Sequence, residues 1–486
     1  MESPEPLGPL FSKGYRTWML VLLVLTNALN LADRQTIAIA SQAIKLDLKF
    51  TDLQIGVLQG LSFAIFYTAM GIPLARLAER FSRARIIATC LALFATMSAL
   101  CGTARGFFSL LPFRIGVAIG DAGFGPPVAS LIGDHYPMKQ RASVMSIIWL
   151  GAPIGVVTGA TVAGWLSQHV SWRAAFFAVG TPALIVALIA FLTLREPPRG
   201  QCDPGGLVAG PPPSASTVLK FLFAKPSVLQ FLLGAGIAAV AMNSIGQFLG
   251  QFLARNYHMG LAQVGPLVAL IAGGSMASGL LLGGFGMDWA ARKDRRWYVW
   301  GPALGLILCT PLFLLGFNQP NIAVAVVVLI AAHVCMFVYY APSLALAQNM
   351  VGADMRASSA FLVSVMLGLV GIGIGPTLVG WLSDHFATRT FTLGVFKAVC
   401  PGGAAPAGSA PDLVAACRDA SATGLRSALM VMTLLCLWAA VHYLIAARHL
   451  RADLDRRYVP GEAEAAVRVP SPSGGTQGAG GSIVGS

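Results

Sequence analysis

Four ionisable residues lie deep inside long apolar runs. Asp33 and Arg34 fall in the run 17–44, and Arg114 and Asp121 in the run 107–135. At 1.5 Å per residue, Asp33 is about 24 Å along a helix that starts at Thr17, just past the middle of a hydrocarbon core. A charge there costs at least ~2.5–3.5 kcal/mol on insertion scales, so it must face a partner or a water-filled cavity. Arg114 and Asp121, in RIGVAIGDAG, are seven residues apart and share one helix face, about 10.5 Å apart along its axis. Two acids and two guanidiniums neutralise most simply in pairs, and Arg114 is expected near Asp33. An apolar site favours the neutral acid, whereas a neighbouring guanidinium favours the carboxylate. Moving the arginine, or letting a substrate compete for it, would then capture or release a proton. Asp121 is a second candidate proton site, with Arg34 as a supporting charge. The alternative is a static salt bridge that locks helices together.

Composition says what must position these residues. The chain has 486 residues, of which 56% are hydrophobic and 11% charged, against roughly 25% in soluble domains. Its mean hydropathy is +0.71. That is too little charge to solvate a soluble enzyme of this size, and a disordered chain or a disulfide scaffold is also excluded. The net charge of +13 does not point to nucleic acid, because the bases sit in short clusters between apolar runs. The cysteines include no CxxC, so structural zinc is not expected. There is no Walker GxxxxGK[ST], HExxH, GxSxG or GxGxxG. The chain therefore reads as no enzyme and as having no cofactor, with an ion gradient as the energy source.

Twelve apolar runs are long enough, at about 20 residues, to cross a bilayer. They are 17–44, 54–79, 84–104, 107–135, 140–167, 173–195, 226–254, 262–288, 297–317, 320–349, 357–383 and 425–448. The first is too long for a signal peptide and carries Asp33 and Arg34. Placing the N-terminus in the cytoplasm puts 22 of the 33 Lys and Arg residues on the inside and 9 outside, as the positive-inside rule asks. Both termini are thus expected in the cytoplasm of an inner-membrane protein. A Pro/Gly-rich linker, 196–225, separates a six-helix bundle at 1–195 from another at 226–450. Residues 451–486 read as a disordered cytoplasmic tail. The halves repeat: Gly164-Trp-Leu-Ser-Gln-His169 returns as Gly380-Trp-Leu-Ser-Asp-His385, 216 residues later. Arg141-Ala-Ser143 returns as Arg356-Ala-Ser358, and Pro127 as Pro342. Two parallel repeats are the architecture of a transporter with alternating access.

The second half carries no unpaired acid deep in its runs. It offers Asn243, Gln247 and Gln251 at i, i+4, i+8 on helix 7, and His333, Tyr339, Tyr340 and Ser343 on helix 10. With Tyr67 of helix 2, the amide stripe, Tyr339 and Ser343 are the candidate substrate-cavity residues; hydrogen bonding between helices explains the stripe equally well. His333 is assigned no role. Gly151, Gly155 and Gly159 on helix 5, and Gly371 and Gly375 on helix 11, allow close helix packing or a rocking seam. Arg76, Glu79, Arg80 and Arg83 after helix 2, with Gly284 and Asp288 after helix 8, are a candidate cytoplasmic gate. Cys400 and Cys417 share the long loop between helices 11 and 12 and are a candidate disulfide.

The twelve-helix pattern resembles the major facilitator superfamily. Within it, NLADRQ (Asn30–Gln35), GIPLARLAERFSR (Gly71–Arg83), ARGFFSLLPFRIGVAIGDAG (Ala104–Gly123) and LGAPIG (Leu150–Gly155) resemble the spinster-type branch. The resemblance implies an all-α membrane protein with two six-helix bundles. It implies that Asp33 is the proton-site acid of helix 1, with Arg34 beside it, and that Arg114 is the helix-4 arginine coupled to it. Asp121 stands where the branch usually has Glu, a shorter reach. The loop after helix 2 departs from the family signature: Glu79 stands for the usual Asp, and Ala75 and Ser82 for Gly. Gly284-Phe-Gly-Met-Asp288 keeps the usual Gly and Asp. The expected partners are membrane lipids, a proton and a small-molecule substrate, amphipathic and lysolipid- or sphingolipid-like or else anionic; a monomer is expected. An organic-anion:proton symporter is the alternative within transport, and a non-transporting membrane receptor the alternative outside it.

Overall fold

The computed structural model describes residues 11–136, 138–198, 223–350 and 366–455. Their regular structure is helical, and twelve spans are long and apolar enough to cross a membrane. In the first half, spans 1 to 6 are Lys13–Leu48, Asp52–Ala78, Arg83–Cys101, Phe107–His135, Val144–His169 and Trp172–Thr193. In the second, spans 7 to 12 are Pro226–Asn256, Leu261–Ala291, Trp297–Phe317, Ile322–Ala347, Leu367–Thr390 and Pro411–Asp453. Several starts are written locally. Ser12 and Ser171 each accept a first-turn N–H, from Tyr15 and Ala174, and Thr51 with Gln54 forms a capping box. The end of span 6 and the start of span 7, between which the linker runs in sequence, mark one face of the bundle, the linker face. The loop between spans 11 and 12 marks the opposite, disulfide face.

Spans 1, 3, 6, 7, 9 and 12 are continuous helices, whereas spans 2, 4, 5, 8, 10 and 11 are interrupted. The two halves are therefore broken at corresponding helices. Span 4 breaks at Phe124 and span 10 at Val338–Tyr339, close before Pro127 and Pro342. Span 5 breaks at Leu150, shortly before Pro153, and span 11 starts in a π-helical stretch, Met366–Ile372, before Pro376. Proline lacks the N–H of the helical ladder and crowds the carbonyl four residues back, which explains why the breaks precede it. Span 2 breaks at Gly60, and span 8 contains two π-helical stretches, Ala269–Gly274 and Leu282–Gly286.

Glycines set how closely the helices approach. Gly151 and Gly155 lie against the span 1 backbone: an added Cβ would come 2.4 Å from the Val24 carbonyl oxygen and 2.1 Å from that of Ala28. Gly375 faces span 7 in the same way, with the Val240 carbonyl at 2.7 Å. These glycines therefore pack each half internally. Different glycines form the seams between the halves. A Cβ at Gly56 of span 2 would lie 2.3 Å from the Pro376 carbonyl oxygen, and one at Gly380 of span 11 would lie 2.2 Å from that of Asp52. Spans 5 and 8 meet likewise, Gly164 facing the Leu261 carbonyl at 2.4 Å and Gly265 that of Ala160 at 2.3 Å. All four positions are toward the disulfide face. Nearer the linker face, a Cβ at Gly71, Gly284, Gly286 or Gly368 would meet no neighbouring helix within 4 Å among the described residues.

Two sequence-based boundaries need correction. The last span starts at Pro411 rather than near 425, because residues 411–424 form an alanine-rich helical extension too polar to register as an apolar run. Cys417 on this extension is bonded to Cys400, with 5.7 Å between their Cα atoms. The helix also continues to Asp455, so 451–455 is not disordered tail. Asp453 is buried and accepts the Ser227 N–H at 3.0 Å, capping span 7. Most of the linker, the rest of the tail, and the Arg356-Ala-Ser358 repeat lie outside the described residues. Gly265→Ala should cost about 1–3 kcal/mol of stability by overpacking the seam between spans 5 and 8. Thermal unfolding in detergent would check this, with Gly284→Ala, in open space, as the near-neutral comparison.

Candidate functional site

The deep charges of the first half form two pairs. Asp33 has no exposed surface; it accepts from Arg114 Nη1 at 2.7 Å through Oδ2 and from the Ser98 hydroxyl through Oδ1. Arg34, the next residue on span 1, pairs with Asp121 on span 4. Spans 1 and 4 thus exchange two ion pairs, and span 3 contributes the serine. The Arg34 guanidinium lies 4.4 Å from the centre of the Phe63 ring and 5.7 Å from that of Tyr67, and Arg114 lies 5.9 Å from Phe63. Aromatic faces stabilise cations that have lost water.

These residues border a cavity between the halves, with ≈ 280 Å³ of empty volume including its open side. The first half supplies Arg34, Arg114, Gln59, Phe63 and Ile37, and the second Asn243, Gln247 and Ile372. The lining contains both guanidiniums but neither carboxylate, so the acids sit behind the arginines. Among the described residues, four buried polar atoms here have no hydrogen-bond partner: Nε of Arg34 and Arg114, and Oε1 of Gln59 and Gln247. Buried polar groups are normally satisfied, and unpaired donors and acceptors on cavity-lining residues suit a polar ligand.

The sequence-based cavity list is corrected at three positions. Gln251 does not line the cavity: the side chain is fully buried near the disulfide face, where its Oε1 accepts from Arg255. Over eight residues, span 7 carries the amide stripe about 12 Å along its axis, out of the cavity and into the closed seam. Tyr339 and Ser343 are buried within the second half, Tyr339 against Met242 and Ser343 bonded to the Tyr443 hydroxyl at 2.6 Å. Their neighbour Tyr340 is the one within electrostatic reach of Arg34. His333 is buried against Phe313, its Nδ1 2.8 Å from the Leu329 carbonyl.

The proposed gate residues on the linker face are dispersed. Arg83 is fully buried and joins Asp134 of the first half and Glu196 just after it, with no partner in the second half among these bonds. Arg76 and Arg80 are exposed, Asp288 accepts from the Tyr298 hydroxyl at 2.7 Å, and Gly284 lies in a π-helical stretch. The Glu79 side chain is outside the described residues. Glu196, at the start of the linker, accepts from Arg83 Nε at 2.6 Å, the Ala84 N–H at 3.0 Å and the Ser82 hydroxyl at 3.1 Å. Partial burial alone would raise its pKa, but the Ala84 N–H and Arg83 outweigh burial and hold it below the usual carboxylate range.

A second buried ionic cluster was not legible as one. Lys45, Asp52, Arg255 and Asp384 meet at the disulfide face. Lys45 and Arg255 lie near span ends, where topology accounts for a base, and Asp384 is visible only as the acid in the second copy of the repeated motif.

Two outcomes follow. Arg114→Leu strands the Asp33 carboxylate and should cost about 3–5 kcal/mol, most of it recovered in the double variant Asp33→Asn/Arg114→Leu; a double-mutant cycle of thermal unfolding reads this. Glu196 contributes stability above its unfolded pKa of about 4.3, and that contribution fades as pH falls through the lower folded value. Glu196→Gln should therefore be about 1–2 kcal/mol less stable at pH 7, and the gap should narrow as pH falls below the unfolded pKa, as melting curves across an acid pH series would show.

Comparison with known proteins gives the family. A solved bacterial homolog to the human lysosomal transporter Spinster, inward-facing and unoccupied, superposes with a TM-score of 0.83 at 31% identity, covering 93% of this chain and 100% of that one. An MFS-type efflux pump of Mycolicibacterium smegmatis is 30% identical over 376 residues, 76% of this chain and 85% of its own length. A hexuronate transporter of Bacillus subtilis is 24% identical over 385 residues, 76% of this chain and 88% of its own. Residues 23–376 match the family model of the Major Facilitator Superfamily, and the chain belongs to that superfamily as a Spinster-like, multi-pass membrane transporter.

Proposed function

We propose that this transporter couples proton movement to the passage of an anionic small molecule, or an amphipathic one with an anionic head, by alternating access. The observation that carries the reading is the cavity lining: it presents Arg34 and Arg114 while Asp33 and Asp121 stand behind them. When Asp33 is ionised, its charge compensates Arg114. When it takes a proton, the guanidinium is left uncompensated in a low-dielectric site, and an anion in the cavity restores neutrality. Proton and anion then load together with no net buried charge. Asp121 and Arg34 repeat the arrangement one residue along span 1.

Lysolipid- or sphingolipid-like molecules fit this chemistry through a charged head, with Phe63, Ile37 and Ile372 offering apolar contact. Small organic anions fit the same cations; the hexuronate transporter among the relatives favours that second reading. The protein would work as a monomer in the inner membrane with both termini in the cytoplasm.

In proteoliposomes with an imposed pH gradient, Asp33→Asn should abolish gradient-driven accumulation while leaving substrate binding measurable. A variant that still accumulates substrate against its gradient would overturn the coupling. Competition between an anionic lysolipid and small carboxylates separates the two substrate classes.

A further inference from the structure

We infer that the buried ionic cluster around Asp52 is the lock of a gate on the disulfide face, and that it must break before the central cavity can open to that side. Asp52 begins span 2 and is 1% exposed. Its Oδ1 accepts from Lys45 at 2.6 Å and Arg255 at 2.7 Å, and its Oδ2 accepts from Arg255 at 2.8 Å and the Ser383 hydroxyl at 2.7 Å. The Asp384 carboxylate takes the backbone N–H groups of Asp52 and Leu53 at 3.0 and 3.1 Å, at the positive end of that helix. Arg255 also reaches Gln42 at 2.8 Å. Apart from Lys45–Asp52, every one of these bonds joins the first half to the second. The two acids and two bases cancel.

The arrangement suits a reversible interface better than a permanent one. Buried ion pairs add little to stability compared with apolar packing of the same volume, because desolvation offsets the attraction. When the interface parts, however, Asp, Lys and Arg side chains regain water, whereas an apolar seam would expose surface that water disfavours. The lock lies where the seams are tightest: Gly380 is packed on the Asp52 carbonyl itself. It is also covered. The turn after Cys400, tied to span 12 by the Cys400–Cys417 bond, sits on the end of span 1: a Cβ at Gly402 would lie 2.8 Å from the Lys45 carbonyl oxygen, and one at Gly403 would lie 3.0 Å from Lys45 Nζ. Both glycines have left-handed backbones, φ +70° and +82°.

The test is side-specific labelling. A reporter cysteine at cavity-lining Ile372, in the full-length chain, is treated with a membrane-impermeant maleimide applied from either face in vesicles of defined orientation. The parent's own background labelling is subtracted. With the lock intact, the reporter should react from the linker face and resist reagent from the disulfide face. Asp52→Asn and Arg255→Gln should each raise disulfide-face labelling at least about tenfold and slow it from the linker face, since about 1.4 kcal/mol of population shift is a factor of ten. Arg255→Lys keeps the charge but loses the two-pronged hold, and should give a smaller rise. Ser383→Ala removes one donor and carries the test should the charge variants fail to fold. A merely structural cluster would lower the melting temperature without changing which face is accessible. Unchanged disulfide-face labelling in folded, monodisperse variants would overturn the lock. The readout needs no transport substrate, so it stands or falls apart from proton coupling.

Discussion

The Asp33 carboxylate has no exposed surface and sits midway through an apolar bundle, a position open to an ion only when a counter-charge and a hydrogen-bond donor are already in place. Arg114 and Ser98 meet that requirement, and much of the first half follows from it. Span 4 must bring its guanidinium to span 1, and span 3 must bring its serine. The next pair, Arg34 with Asp121, fixes the rotation of span 1 against span 4, because two adjacent residues on one helix point roughly 100° apart. The pairs also direct the chemistry. Carboxylates held from behind leave guanidinium edges and the Phe63 ring toward the cavity, so the site is cationic even though the two pairs are neutral.

The second half repeats the backbone without repeating the charge. Breaks at spans 2, 4 and 5 return at 8, 10 and 11, and internal packing glycines occupy matching helices. Where the first half contributes ion pairs to the cavity, the second contributes the Asn243 and Gln247 amides. An amide can donate and accept without carrying charge, so this wall can follow a substrate without changing the proton accounting. On the proposed coupling, a division into a charged half and a neutral half would let one set of residues respond to protonation while the other contributes to recognition.

Much of the fold was legible because spans report themselves by length and hydropathy, and the Asp33–Arg114 contact because unpaired charges at such depth have few alternatives. The failures have physical causes. Gln251 belongs to a stripe that is continuous along span 7, but a stripe of about 12 Å passes from an open cavity into a closed seam, and periodicity does not report where a cavity ends. Tyr339 and Tyr340 are adjacent, so one is buried in its own half and the other is only partly buried, a choice made by packing. The Asp52 cluster was hidden because a base near a span end is the ordinary mark of topology, and only tertiary contact separates a loop lysine from Lys45. The start of span 12 was missed because residues 411–424 are helical through alanine content and tethering at Cys417, not through hydropathy.

The two ionic clusters are mechanically linked through span 1. Asp33 and Lys45 lie on the same unbroken helix, about 18 Å apart along its axis, and span 7 likewise joins Gln247 in the cavity to Arg255 in the lock. Continuous helices transmit a tilt or translation with little loss, whereas the interrupted spans 2, 5, 8 and 11 can bend. The halves therefore combine rigid members, which carry chemistry from the cavity to the disulfide face, with jointed members, which form the seams. On the proposed coupling, a change of charge at Asp33 or Asp121 would alter how span 1 sits against span 4, and the far end of span 1 is where Lys45 holds Asp52. Under the proposed mechanism the inferred lock and the loading site would be two ends of one lever.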